Sequence, residues 1–354
     1  MLTSRDIKER ARREGFDLCG IAPAAAFPEL GRLREWLDRG YGADMRYLHR
    51  SADTRADIRR FLPTARAVIV TGSVYHVDEP VTPDDAAAPA TIARYARGED
   101  YHDVLQSRLD ELVAWMRGCS PVPFDARIFV DKHHVQERVH AKYAGLGWIG
   151  KNTCLINADV GSWLFLSGIA VSLELEADAP AVDQCGACTQ CIDACPTGAL
   201  VDEYELDASR CISYLTIENK HSIAEERRAQ IGSHVFGCDI CQEVCPHNLA
   251  PLATLDPAWQ PRHDRAHVDA AALWQRSDQE LHELMAGSAM TRVTVSRLRR
   301  NLAVVLGNSA ADDLAPLERP GGGVPRAAQS AATPLVEEHV AWAKKALRHR
   351  ARNI

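Results

Sequence analysis

The run "CGACTQCIDACP", Cys185–Pro196, puts four cysteines within eleven residues and closes on a proline. A looser copy, "CDICQEVCP", covers Cys238–Pro246, with Cys211 as its displaced first cysteine. The first run is C-x2-C-x2-C-x3-C-P; the second is the same motif with its first interval stretched from two residues to 26. In proteins that hold two cubane clusters, this spacing sends the fourth cysteine of a run to the other cluster. Three thiolates on a tight loop reach three irons of one cubane, and the fourth leaves on a short helix towards its neighbour. One cage is then Cys185, Cys188, Cys191 and Cys245, and the second is Cys195, Cys211, Cys238 and Cys241. Zinc sites use paired C-x2-C knuckles and do not call for this run twice. Two adjacent [4Fe–4S] clusters suit the relay of single electrons. The remaining thiols, Cys19, Cys119 and Cys154, read as buried small hydrophobes.

The totals fit an ordinary globular chain. Its 354 residues allow about two to three domains. Apolar residues make up 46% and charged residues 25%. A formal net charge of −7 gives no global sign of nucleic-acid binding, although local patches can override the average. The N-terminus "MLTSRDIKERARREG" is polar and lacks an apolar signal core. The longest apolar stretch, "VGSWLFLSGIAVSL", is interrupted by Gly and Ser and falls short of the ~18–20 residues a spanning helix needs. A cytoplasmic protein is expected, and that compartment keeps cysteines reduced rather than paired as disulfides.

Outside the cysteine runs, helices and strands alternate. Helices are expected over 5–14, in "ELGRLREWLDRG" with Gly40 as its end, over "DYHDVLQSRLDELVAWM", and over 135–144. The third places Leu105, Leu109, Leu112 and Met116 on one face. Strands are expected in "DLCGIAP", at 65–75, in "DARIFVD" up to Asp131, and at 152–157 and 162–175, with a loop at 78–90. The chain therefore divides into an α/β or α+β domain over 1–180, a ferredoxin-like module over 181–255 and a helical segment over 256–354. The last contains "SRLRRNLAVVLGNS" and "TPLVEEHVAWAKKAL", read as one helical repeat unit of HEAT-like type. A bare ferredoxin would need little beyond the module, so the first domain is expected to receive the electrons.

The segments "SRDIKERARREGFDLCGIAP", "RYARGEDYHDVL", "VDKHHVQERVHAKYAGLGWIGKNT", "CISYLTIENK" and "FGCDICQEVCPHN", in this order, resemble the epoxyqueuosine reductases. "GSAMTRVTVSRLRRNLAVVLGNS" is similar to the family's C-terminal part. The resemblance implies an oxidoreductase of queuosine biosynthesis with two [4Fe–4S] clusters and cobalamin. It implies reduction of epoxyqueuosine to queuosine at the wobble position of a tRNA, with electrons from an external low-potential donor. A monomer that binds no membrane is expected. The alternatives are a corrinoid reductase of another substrate, resembling the reductive dehalogenases, and an electron-transfer protein with no substrate of its own.

On the resemblance, Asp131 matches the proton donor, and burial beside the corrin is expected to raise its pKa. Lys132, or His133 and His134, beside it are expected either to lower that pKa through charge or to contact substrate. Arg55 matches a corrin-contacting arginine, and Tyr95, Asp100 and His102 lie on a loop placed by the cofactor. Lys151 and Asn152 are expected to touch corrin side chains; Ser213, Thr216 and Lys220 are expected to bridge cofactor and tRNA. Gly145, Gly147 and Gly150 are read as glycines that let a flat ligand approach. Their G-x-G-x-x-G precedes a strand rather than following one, so it is no dinucleotide fingerprint. No complete D-x-H-x-x-G cobalamin signature is present. Two basic groups, Arg292, Arg297, Arg299 and Arg300 on the first C-terminal helix and Lys344, Lys345, Arg348, Arg350 and Arg352 in the tail, lean towards RNA phosphates.

Overall fold

The computed structural model describes residues 2–78, 88–266, 268–309, 317 and 333–351. Its first half runs α1 (Ser4–Arg13), β1 (Leu18–Pro23), α2 (Pro28–Asp38), α3 (Arg46–Arg55), α4 (Ile58–Phe61), β2 (Ala67–Val74), β3 (Pro89–Ile92), α5 (Tyr101–Cys119), β4 (Ala126–Phe129), α6 (Glu137–Tyr143), β5 (Trp148–Ile149), β6 (Leu155–Ile156) and β7 (Leu164–Val171). Four strands form one sheet in the order β1-β2-β7-β4, and every pairing is antiparallel. The fold is thus of the α+β kind. β2, "AVIVTGSV", is buried at every residue because helices cover both faces of the sheet. Its alternation sorts the side chains: Ala67 and Ile69 join α1 and α5 through Ile7, Leu105 and Leu109, while Val68 and Val70 join α2, α4 and α6 through Leu30, Phe61 and Val139. All four expected α5 residues, Leu105, Leu109, Leu112 and Met116, are fully buried.

Several boundaries differ from the sequence reading, two of them near the site. β4 stops at Phe129, two residues before Asp131, because Asp131 takes a left-handed backbone with φ of 42°. The loop expected at 78–90 lies mostly outside the described residues, and its end forms β3. β3 pairs in parallel with His234–Phe236 and antiparallel with Val268–Asp269, so this small sheet draws on distant parts of the chain.

Short elements fill 185–250. One-turn helices at Gln190–Asp193 and Ile240–Glu243 follow the two cysteine loops and carry Cys195 and Cys245 away from them. Tyr214–Glu218 forms a π-helical turn, a wide winding that is frequent at functional sites. The C-terminal helices Val295–Asn308 and Pro334–Ala351 pack on each other around Leu298, Leu302, Leu306, Ala343 and Leu347, with Ala270–Gln275 and Asp278–Met285 before them. No helix among the described residues is long and apolar enough to cross a membrane.

Candidate active site

A cavity of about 910 Å³ opens between the first half and the cysteine module. Leu48, Val135, Leu164 and Phe165 give it apolar wall; Arg55, Gln136, Asn152 and Ser213 add polar groups. Cys195, Cys211, Cys238 and Cys241 all line it, whereas Cys185, Cys188, Cys191 and Cys245 do not. Backbone strain concentrates here. Of the non-glycine residues with positive φ, Asp131, Thr153 and Tyr204 line the cavity. For a β-branched residue such as Thr153, at φ 66°, that conformation is a true outlier and a pointer to function.

The thiols fall into two neighbourhoods. Cys245 shares a buried cluster with Cys185 and Trp148; burial and the charges of Cys185 and Cys188 push its thiol up. Cys191 is raised in the same way by burial, Cys245 and Cys185. Cys238 is pushed up to about 12 by burial and by the charges of Cys211, Asp239 and Cys195. Three cysteines or other ligating side chains do not gather tightly enough, among the described residues, to share a single ion. A cubane takes one thiolate on each iron and needs a wider cage. Donors face the sulfurs: Trp148 Nε1 lies 3.5 Å from Cys185 Sγ, and the Ala199 amide 3.3 Å from Cys195 Sγ.

Asp131 sits at the cavity wall with 63% of its side chain accessible. It accepts from the Tyr101 hydroxyl at 3.0 Å, and His102 Nε2 lies 3.2 Å from the same oxygen. Asp100 caps α5, accepts from the His102 amide, and meets His102 Nδ1 at 2.6 Å. An Asp–His–Asp chain results. Enclosure by the cavity wall pushes the Asp131 carboxyl up, but the hydrogen bond and charge of His102, with Tyr101 and Arg138, outweigh it and hold the carboxyl below its ordinary value. The expected upward shift is therefore not present, and its opponent is His102 rather than the neighbouring Lys132, His133 and His134. His133 instead accepts from the Val130 amide. Burial opposes charge on His102, yet the hydrogen bonds to Asp100 and Asp131 prevail and raise its pKa.

The other expected site residues separate. Arg55, Tyr95, Asn152 and Ser213 line the cavity. Arg55 spends donors on Ser51 Oγ and the Val135 carbonyl, at 3.0 and 2.8 Å. Asn152 donates to the Cys241 carbonyl at 3.1 Å. Lys151 does not line the cavity: its buried ammonium braces the first cysteine loop through Gly186 O and Glu203, each at 2.7 Å. Thr216 is fully buried, bonding Ile212 O and the Gly237 amide, and Lys220 is exposed outside the lining. The glycines of "AGLGWIGKN" admit protein rather than ligand. A Cβ on Gly147 would stand 2.2 Å from Ile156 O, and one on Gly145 would stand 2.9 Å from Ala179 O.

Two family models match the chain. "4Fe-4S double cluster binding domain" covers residues 184–248, and "Epoxyqueuosine reductase QueG, DUF1730" covers residues 55–132. The epoxyqueuosine reductase of Xanthomonas campestris pv. campestris is 39% identical over 95% of this chain and 94% of its own length. The chain belongs to the epoxyqueuosine reductase family. A crystal structure of epoxyqueuosine reductase with a tRNA-Tyr epoxyqueuosine-modified stem loop matches with a TM-score of 0.85, 28% identity and coverage of 97% of this chain and 89% of that one. A Bacillus subtilis epoxyqueuosine reductase matches equally well, at a TM-score of 0.85 and 28% identity over 97% of this chain and 90% of that one. It is described as having its catalytic aspartate loop swung out of the active site. The chain is an oxidoreductase of this family and carries a double [4Fe–4S] module.

Three features of this epoxyqueuosine reductase family member escaped the sequence reading. Tyr101 stacks on Phe165 with centroids 4.6 Å apart and holds Asp131; the signal was its place beside His102 in "DYHD". Cys119 is exposed at the end of α5 rather than buried, and Cys154 lines the cavity. Cys154 and Cys241 are hydrogen-bonded, a contact that lowers the Cys154 thiol and raises that of Cys241.

The third concerns the basic groups. Arg300 is fully buried and donates to the carbonyls of Leu215, Asn219 and His221. Asn301 takes Thr216 O at 2.8 Å, and Arg297 takes Ile217 O at 2.7 Å. These residues satisfy the carbonyls of the π-helical turn. Arg299 pairs with Asp278 at 2.7 Å. Arg292 precedes the helix, is exposed, pairs with Glu218 at 2.8 Å and lies over the Tyr47 ring at 5.8 Å. In the tail, Arg348 is exposed, Lys345 faces Glu225 at 3.7 Å, Lys344 is half-buried and Arg350 donates to Gly307 O. Arg352 lies outside the described residues.

Proposed function

We propose that this chain reduces epoxyqueuosine in a tRNA to queuosine, with two [4Fe–4S] clusters and a cobalamin as its cofactors. The supporting observation is the shared cavity: Asp131, Cys195, Cys211, Cys238 and Cys241 all line it. On this reading the four cavity thiols hold the cluster next to the substrate, and Cys185, Cys188, Cys191 and Cys245 hold the outer one. An external low-potential donor supplies electrons one at a time. The related structure with an epoxyqueuosine-modified stem loop supports an RNA ligand.

The cavity suits a large ring with amide arms. It has apolar walls for the ring faces and polar groups, from Arg55, Tyr95, Asn152 and Ser213, at positions able to meet amides. Bound there, cobalamin would supply the redox chemistry that reduces the epoxide, in the cavity that Cys195, Cys211, Cys238 and Cys241 also line. The protein's own contribution is proton delivery and positioning. Asp131 and His102 act as one donor unit: they share a 3.2 Å contact that raises the imidazole's hold on a proton, and Asp131 presents that proton to the departing oxygen. Tyr101 and the Asp100–His102 contact fix that geometry.

Turnover of an epoxyqueuosine-containing stem loop by anaerobically reconstituted protein, with and without cobalamin, tests the reading. Queuosine formed only with cobalamin, and lost in Asp131→Asn, supports it. Cobalamin bound without turnover of the RNA would mark a corrinoid reductase of another substrate, and no cobalamin binding would leave an electron carrier.

A further inference from the structure

Glu137 opens α6 and lines the same cavity as Asp131. Its Oε1 is buried with no hydrogen-bond partner. Native proteins rarely leave such an atom unsatisfied without a use for it. The charged groups that bear on it are Asp131 from the β4–α6 loop, Arg55 from α3 and Arg138 from its own helix. Arg55 and Arg138 are already engaged, with Val135 O at 2.8 Å and Thr153 O at 3.0 Å. Glu29 and Lys142, also in the lining, pair with each other at 2.7 Å, and Arg32 completes the ionisable wall on that side. No cation is spent on Glu137 by a direct contact among the described residues.

We propose that Glu137 stores, as a neutral carboxylic acid, the second of the two protons that epoxide reduction consumes. This rests on the activity proposed above. Conversion of an epoxide to an alkene breaks two carbon–oxygen bonds, takes two electrons from the reductant by way of the clusters, and places two protons on the oxygen, which leaves as water. The Asp131–His102 unit holds one proton. Glu137 holds the other and refills the emptied Asp131 carboxylate, which delivers it in turn.

The environments of the two carboxyls are opposed, the pattern by which acid and base roles separate. Burial, reinforced by the charge of Asp131, pushes Glu137 up to about 8, against the weaker pull of its backbone hydrogen bond, Arg55 and Arg138. His102 holds Asp131 down. At neutral pH one carboxyl is therefore loaded while the other is ionised.

Infrared titration of the cluster- and cobalamin-loaded enzyme tests this without relying on turnover. The carbonyl stretch of a protonated carboxylic acid should persist at neutral pH and titrate near 8. It should survive Asp131→Asn and vanish in Glu137→Gln. In turnover, Glu137→Gln should slow the reaction about 10²-fold, on the scale of a lost proton donor. It should remove the fall in rate near pH 8 while leaving the limb set by His102; Glu137→Asp should restore part of the rate. A wild-type enzyme without that band, a band that survives Glu137→Gln, or an unchanged pH profile overturns the proposal. So does a variant whose only defect is weaker cobalamin binding, which would make Glu137 an anchor. If the wild type does not turn over the RNA, the functional reading fails, whereas the band still reports on Glu137.

Discussion

His102 Nε2 lies 3.2 Å from Asp131 Oδ2, while its other ring nitrogen is held by Asp100. This contact makes His102 the group that decides the protonation state of the cavity acid. His102 has a raised pKa in the fold, so its contribution to stability is full below its ordinary 6.5 and is lost as pH rises through the raised value. Asp131 is lowered, so its share is present above the ordinary carboxylate range and is lost as pH falls through its depressed value. His102→Gln should remove both limbs, an effect on the order of 1 kcal/mol because Asp131 is largely accessible. Thermal unfolding of wild type and variant across pH checks this. Turnover in His102→Gln should fall about 10²-fold.

The two neighbourhoods of cysteines predict separable damage. Cys195→Ser should lose the inner cluster and keep the outer one, although Cys195 belongs in sequence to the run that supplies three ligands of the outer cluster. Iron analysis should find about half the wild-type content by the crossover rule. Spectroscopy that finds only the outer cluster missing would overturn this partition.

Arginines that look alike in sequence should behave differently. Arg300→Met leaves the carbonyls of Leu215, Asn219 and His221 without their buried donor and should cost roughly 3 kcal/mol, read as a lowered Tm. Arg292→Ala should leave Tm nearly unchanged and lower the salt dependence of stem-loop affinity by about one unit of slope.

Glu137 carries a pH-dependent stability cost. Its folded pKa of about 8 stands above the ordinary 4.5, so the wild type loses stability as pH rises from about 4.5 to about 8. Glu137→Gln should therefore be more stable than wild type at pH 8, by on the order of 4 kcal/mol, and nearly equal to it at acid pH. Chemical denaturation at the two pH values measures the difference.

Much of this was legible in the residues. Cysteine spacing carries geometry directly, because thiolates on short loops have little freedom in where they reach. β2 and α5 were legible for a similar reason: an eight-residue buried run and a 3.6-residue stripe each admit few packings. Residue type alone misled where a side chain's direction was set by remote backbone. Arg300 read as a cation for RNA phosphates and Lys151 as one for the corrin, yet each is buried against carbonyls from distant segments. Asp131's pKa was misjudged because its controlling partner, His102, is 29 residues away in sequence and arrives only through the packing of α5 on the sheet. Glu137 gave no local signal, since "VQERV" is an ordinary helix start and the missing partner is visible only in three dimensions.

β3 spans Pro89–Ile92, but the strands that flank it are His234–Phe236 and Val268–Asp269. A ribosome adding about 5–20 residues per second needs on the order of ten seconds to travel from one to the others. Until they emerge, Pro89–Ile92 lacks both of its sheet partners, and an unpaired strand edge is the kind of template on which chains aggregate. Maturation of this protein is thus a race that ends only when its last quarter emerges.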